Sequence, residues 1–471
     1  MEVVVVLFSA FYGCGSATLP AGDPTRPDVI LVSIDSLRPD HLGSYGNARQ
    51  PSPFLDGLAS AGLRYTEARA HSPWTLPSHT TMLSGRGPLE HEVVEDTRRI
   101  PADLPLVQEA LGGAGYSTAG FVTTVYVSDT FGFERGFSHF EDYGIGRAEN
   151  LKRTVNAETV VDDALTWART AEGKPVFLFL HFYDVHYPYL PPEPWNLKYD
   201  KPGSKKSTRY RSYEWTLKNP LSADRLAHLQ AQYDESIAYV DDQLARLGAA
   251  WAKSGRRVSW VVTADHGEEF GEHGGWGHAH TLHPEVMRVP LVVSGAGVDT
   301  PAVREERVGV VDVAATLAGL AGVPFPSSGV DVRGAVPVRD QVFETSRFDS
   351  ARLGLWSAGR RIDLDFTRDA QVVYGDVDAD ESTPLAADPA LEALAWAAVG
   401  ERWTATGPVT TRGWLHAAGV GTTHRWDGPG PFALYPPDAL VDGPATRAAA
   451  PPSVTLTEDT REQLRALGYE Q

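Results

Sequence analysis

The stretch Val261-Val262-Thr263-Ala264-Asp265-His266-Gly267-Glu268-Glu269 runs on through Gly274-Gly275-Trp276-Gly277-His278-Ala279-His280. A mostly apolar, β-favouring segment from Val258 to Val262 leads into it. An inner parallel strand reads this way when its C-terminal edge carries chemistry. A buried charge has to be paired or bound to metal, so adjacent Asp265 and His266 point to one shared divalent ion. The competing reading is a strand followed by a polar, Gly-rich surface loop. Segments elsewhere in the chain decide between the two.

The first is Asp28-Val29-Ile30-Leu31-Val32-Ser33-Ile34-Asp35, an apolar β run that again ends on a carboxylate. The second is His71 to Gly85, where Pro77 limits backward extension, so a helix is expected from about Pro77 to Gly85. Thr75 then sits just before a helix N-terminus, where backbone N–H groups and the dipole favour an anion. The third is the unbroken apolar strand Val176 to Leu180, which opens onto His181-Phe182-Tyr183-Asp184-Val185-His186.

Working outward, helices are expected over Ser52 to Ala59, Leu104 to Ala114, Asn156 to Thr170, Ala223 to Leu247 and Val311 to Leu320, and further strands at Gly115 to Phe121 and Val289 to Val293. The pattern predicts an α/β fold with a mostly parallel central sheet flanked by helices, over residues 28–330. Beyond it, residues 331–471 read as a smaller C-terminal subdomain and tail. Gln341 to Glu344, Arg361 to Phe366 and Gln371 to Tyr374 form a small antiparallel sheet there, Pro384 to Val399 is mostly helical, and Leu456 to Leu467 is a closing helix.

With 471 residues, 42% of them hydrophobic, the chain can bury a large core. A net charge of -19 argues against a nucleic-acid partner. The basic loop Lys198 to Arg211 is read instead as a loop over the site's mouth. Cys14 is the single cysteine, which rules out an intrachain disulfide or a Cys metal cluster. It follows the apolar run Val3 to Ala10, so residues 1–27 read as an export leader of the lipoprotein type with Cys14 as lipid anchor, plus a linker. The leader has Glu2 and no basic residue before the apolar run, and a spurious leader would leave the protein cytoplasmic. Oligomeric state is left open.

Asp35, Asp265 and His266 from the strand ends, with the hydroxyl of Thr75, would bind one divalent ion above the sheet. Coordination would lower the hydroxyl's pKa and make Thr75 a nucleophile toward a small anionic ester. His79, His186 and His278 are the candidate acid and substrate-contacting groups. Asp184 with His186 and His280 could form a second metal site.

At these residues the chain resembles the sulfatase branch of the alkaline phosphatase superfamily, from Asp28 to about Phe343. The resemblance rests on Ile34-Asp35-Ser36-Leu37-Arg38-Pro39-Asp40, Thr75-Leu76-Pro77-Ser78-His79 through Gly85, Asp184-Val185-His186-Tyr187-Pro188-Tyr189, and Asp265-His266-Gly267-Glu268 with Gly271-Glu272-His273-Gly274. It implies a metal-dependent ester hydrolase. Three positions depart from the family pattern. Ser36 replaces a second aspartate, His79 replaces an arginine, and Thr75 stands where the family forms formylglycine. A threonine ester cannot collapse to an aldehyde and must be hydrolysed by water. Phosphate mono- or diester chemistry is therefore expected, with Zn²⁺, Mn²⁺ or Ca²⁺, one or two per chain. The alternatives are a sulfatase working without formylglycine and a catalytically inactive binding protein of the same fold.

Overall fold

The computed structural model describes residues 18–144, 155–200 and 221–345 without a break, and shorter stretches from there to residue 461. At its centre is an eight-stranded sheet in the order Ala302–Arg304, Gly62–Tyr65, Leu291–Gly295, Val258–Thr263, Asp28–Ile34, Val176–Phe182, Ser117–Phe121, His139–Glu141. Leu291–Gly295 runs antiparallel to both neighbours, and the other pairings are parallel. The expected mostly parallel α/β sheet is thus present, with one reversed strand. That strand begins two residues later than its apolar run, because Pro290 has no N–H to offer a ladder.

The two strands beside Asp28–Ile34 explain why the chemistry gathers at one edge. Ser33 lies opposite both His181 and Thr263, so the three central strands end level with one another. Asp28–Ile34 and Val176–Phe182 are buried along their whole length, which accounts for apolar runs without alternation. The opposite edge is fixed by one carboxylate. Asp28 accepts from Val176 N–H at 2.9 Å, Trp251 Nε1 at 2.8 Å, and Arg256 Nε and Nη2 at 2.6 and 2.8 Å. This ties the starts of all three strands to the end of the Ala223–Ser254 helix.

That helix is capped by Ser222, whose side chain accepts from Arg225 N–H, and ends at Gly255 in the left-handed conformation. It extends past the expected Leu247 because Trp251 continues the buried stripe of Leu244 and Leu247 by one more turn. Asn156 caps the Ala157–Ala168 helix in the same way, and the two helices pack together. The helix expected from Pro77 begins at Thr75 instead and ends at Gly85 as read. Pro77 is its third residue, where a missing N–H costs no intrahelical bond.

The C-terminal sheet has four strands rather than the three expected: Gln341–Thr345, Arg352–Ser357, Arg360–Asp365 and Ala370–Gly375, each antiparallel to the next. Gly354 disguised the second of them in the sequence. A Cβ there would lie 2.8 Å from Asp363 Oδ1, so any larger residue would have to displace that side chain. Phe343 and Trp356 join the core of the large sheet, so this unit packs directly on it. Of the expected helix over 384–399, residues 389–395 are helical. The leader with Cys14, the basic loop beyond residue 200 and most of the closing helix lie outside the described residues. Among the described residues no helix is long and apolar enough to cross a membrane.

The Asp28 clamp gives a stability prediction. Asp28→Asn should cost about 3–5 kcal/mol in chemical denaturation, because it leaves the Arg256 guanidinium buried beside a neutral group. A loss below about 1 kcal/mol would show that the clamp is not what aligns the strands.

Candidate active site

Asp35 follows the first strand and donates its backbone N–H to Phe182 O at 2.9 Å, keeping the ladder intact up to the carboxylate. Asp265 and His266 follow Val258–Thr263. Gly267 comes next because the chain passes so close to Glu285 that an added Cβ would lie 2.0 Å from its carbonyl oxygen. Ser78, in the helix that Thr75 opens, donates its hydroxyl to Asp265 O at 2.6 Å and pins that helix to the strand end.

The result is one sealed cluster. Asp35, Thr75, Asp265 and His266 are each 0% exposed. His266 Nε2 lies 3.3 Å from Asp265 Oδ2, 3.7 Å from Asp35 Oδ1 and 3.5 Å from Thr75 Oγ1. One ligand atom from each of Asp35, Asp265 and His266 lies within 4.8 Å of the others, a spacing that could hold a metal ion. Among the described residues, Oδ2 of Asp35 and Oδ2 of Asp265 have no hydrogen-bond partner. Two buried carboxylate oxygens left this way are costly unless a cation neutralises them. The donor set of two carboxylates and an imidazole suits a divalent ion.

Ser36 stands where the family pattern has a second aspartate, and its role here is to orient. Its φ is 60°, in the left-handed region, and from there its N–H reaches Asp265 Oδ1 at 3.2 Å and its hydroxyl reaches Asp35 Oδ1 at 3.0 Å. Tyr233 holds this turn from the long helix, donating to Ser36 O at 2.6 Å and accepting Arg38 N–H at 2.8 Å.

Protonation follows from the same contacts. Burial works against a charged ring at His266, but Asp265 and then Asp35 outweigh it and raise the pKa above the usual imidazole value. His266 Nδ1 lies 2.9 Å from Gly267 O and donates to it, which leaves the Nε2 lone pair facing the carboxylates. Burial pulls His79, His181 and His186 down to about 4, and His278 well below its ordinary value. Glu268 is fully buried and pushed up, again by burial first. It accepts from Tyr189 OH at 2.9 Å and lies 3.1 Å from His278 Nδ1.

The other expected residues divide. His278 stacks on His266 with ring centroids 4.3 Å apart, and His186 meets His278 edge-on at 4.8 Å, so both border the cluster. His79 does not face outward. It is sealed beneath the cluster, with Nδ1 2.9 Å from Thr75 O and 3.5 Å from Asp265 Oδ2, and Nε2 2.9 Å from Ser33 Oγ. Inside the helix that Thr75 opens, its ring can point only at the sheet, so it supports the site from below. Asp184, His186 and His280 do not form a second group of three ligand atoms among the described residues. Asp184 is turned toward the Ala157–Ala168 helix, accepting Ala157 N–H at 3.1 Å, and burial raises it to about 7. His181 and Glu268 are the residues sequence reading left without a role. A histidine closing the apolar strand Val-Phe-Leu-Phe-Leu-His-Phe, level with Ser33, was the available signal.

Comparison with known proteins gives the chain's family and fold. The sequence model of the sulfatase family matches residues 27–323. An uncharacterized sulfatase, YidJ of Escherichia coli (strain K12), is 23% identical over 69% of this chain and 74% of its own length. Among solved structures, a 2-O GAG sulfatase superposes with a TM-score of 0.63 at 18% identity, covering 80% of this chain and 92% of that one. The phosphonate monoester hydrolase of Agrobacterium radiobacter gives 0.62 at 17% identity, covering 83% and 96%. At such identities the structural likeness is one of fold.

The raised pKa of His266 sets a linkage that can be measured. Charged His266 stabilises the protein at low pH, and that contribution is lost as pH rises through its folded pKa. A cation needs the neutral ring, so binding should release a proton near neutral pH and tighten as pH rises. Calorimetry with Mn²⁺ or Zn²⁺ in buffers of different ionisation enthalpy reads this directly. Saturation at 100 times Kd should add about 2.7 kcal/mol of stability, and Asp265→Asn should abolish the gain. Equal stabilisation of the Asp265→Asn variant would count against this site.

Proposed function

Because the chain belongs to the sulfatase family, a family of ester hydrolases, we propose that it is a metal-dependent phosphoesterase working through Thr75 on a small anionic ester. The observation that carries this reading is the placement of Thr75 Oγ1. It lies 3.5 Å from His266 Nε2, at the first residue of a buried ten-residue helix, beside two carboxylates with unpartnered oxygens. Asp35, Asp265 and His266 would hold the cation, with Thr75 as a further ligand. Bound there, a divalent ion supplies the charge that lowers a hydroxyl's pKa and offsets an anionic ester.

The chain's own groups account for the rest. The first N–H groups of a helix have no intrahelical acceptor, so the start of Thr75–Ser84 offers donors to the substrate's oxygens. Thr75 Oγ attacks phosphorus, the bond from phosphorus to the ester oxygen breaks, and the alcohol leaves with a proton. Water then cleaves the phosphothreonine and regenerates the hydroxyl. His186 and His278 border the cluster as neutral rings, and an anionic ester beside them supplies the negative charge that favours their protonated form. Either could then give a proton to the leaving oxygen.

Phosphate is preferred over sulfate for a chemical reason. Thr75 carries no aldehyde hydrate through which a bound sulfate could be expelled, and a phosphoryl ester of threonine has water as its exit. The sulfatases among the relatives support the second reading, slow sulfate ester hydrolysis through the same hydroxyl, whereas the phosphonate monoester hydrolase supports phosphorus chemistry on this fold.

The protein with Mn²⁺, Zn²⁺ or Ca²⁺ should cleave an aryl phosphate mono- or diester faster than the matching aryl sulfate. Thr75→Ala should lower kcat on the order of 10³-fold or more, with cation binding partly kept. A clear preference for the sulfate would favour the second reading, and turnover by Thr75→Ala at the original rate would remove the nucleophile assignment. No turnover of either ester, with the cation bound, would point to the binding protein.

A further inference from the structure

His181 is the sixth residue of the Val176–Phe182 strand, 0% exposed, with Nε2 3.3 Å from Oδ2 of Asp35. Among the described residues neither atom has a hydrogen-bond partner, so each is the nearest polar group left to the other. The two nitrogens of the ring can be told apart through Thr123. The Thr123 hydroxyl donates to His181 O at 3.0 Å, and the Thr123 backbone N–H donates to His181 Nδ1 at 3.4 Å. A backbone N–H can only donate, and the Thr123 hydroxyl, 3.2 Å from Nδ1, already donates to His181 O, so the network assigns Nδ1 as an acceptor and the ring's proton to Nε2.

His266 has the opposite arrangement. Its Nδ1 donates to Gly267 O, so when the ring is neutral its Nε2 presents a lone pair. Two buried imidazoles therefore approach Asp35 with different chemistry: His266 offers a lone pair, as a metal ligand must, and His181 offers an N–H, as a ligand's support must. They also address different oxygens. His266 Nε2 faces Oδ1 of Asp35, where the Ser36 hydroxyl donates, and His181 faces Oδ2.

We propose that His181 is a positioning residue of the cation site, its Nε2–H directed at the unpartnered Oδ2 of Asp35 and closing on it when the cation binds, while Ser36 holds Oδ1, so that the carboxylate is presented in one orientation. This rests on the reading of Asp35, Asp265 and His266 as the cation site. Ser36 and His181 together do by hydrogen bonding part of what a second carboxylate on the Asp35 turn would do by direct ligation. Thr123 belongs to the same device, because it sets the tautomer, and its hydroxyl also accepts Tyr183 N–H at 3.0 Å.

The test is calorimetric titration of the full-length protein with Mn²⁺, together with melting of the metal-free protein. His181→Met fills the space without an N–H and should weaken Mn²⁺ binding by about 10–100-fold. His181→Gln can place an N–H at the reach of Nε2 and should stay within roughly threefold of the unaltered protein. The two metal-free variants should melt at similar temperatures, which a purely structural role shared by both would not separate from their affinities. Should His181→Met fail to fold, His181→Asn takes its place, since its amide oxygen can accept Thr123 N–H as Nδ1 does while its own N–H stops short of Asp35. Equal affinity in His181→Met and the unaltered protein, or equal loss in the Gln and Met variants, would overturn the assignment. Failure of the unaltered protein to bind Mn²⁺ would instead overturn the cation-site reading, and the assignment with it.

Discussion

Two carboxylates at the ends of adjacent buried strands, with no solvent to screen them, are the constraint that organises this molecule. Asp35 and Asp265 are each 0% exposed, and each keeps one oxygen without a hydrogen-bond partner among the described residues. Burying such charges without compensation costs several kcal/mol per ion. Much of the surrounding polar structure reads as a partial answer to that cost. Ser36 donates twice, His266 is drawn toward its protonated form, and His79 and His181 approach the outer oxygens. A divalent cation would complete the answer, and it would also give the Thr75 hydroxyl a reason to face inward.

The sheet makes the arrangement affordable because its register is fixed at the far end. Asp28 gathers four donors from the Val176 strand, Trp251 and Arg256. With the strand starts tied, the strand ends cannot slide, and a register slip would turn Asp35 to the other face. The helix that carries Thr75 is pinned to the Asp265 turn by Ser78. Position at the chemical edge is thus inherited from hydrogen bonds made at the opposite edge and beneath the helix.

Much of this was legible in the sequence because it is local. Apolar runs ending in Asp35 and in Asp265-His266 announce inner strands with chemistry at their ends, and Gly85 marks the helix stop. What stayed hidden depends on partners distant in the chain. Whether His79 faces substrate or sheet is decided by Ser33 and Asp265, and no spacing rule reaches from one to the other. Asp184 looked like a ligand until the N-terminus of the Ala157 helix took its carboxylate. His181 read as one more polar residue after a strand, whereas it lies inside the strand, level with Ser33. The reversed Leu291–Gly295 strand was equally invisible, since strand direction follows from connections rather than composition.

The account stands or falls on where a cation sits. Anomalous diffraction from crystals grown with Zn²⁺ measures this most directly. The predicted result is a peak at about 2.0–2.2 Å from a carboxylate oxygen of Asp35, one of Asp265 and His266 Nε2, with Thr75 Oγ1 turned toward it. A well-ordered site with no peak there, or a peak bound elsewhere with Thr75 directed away, would contradict it.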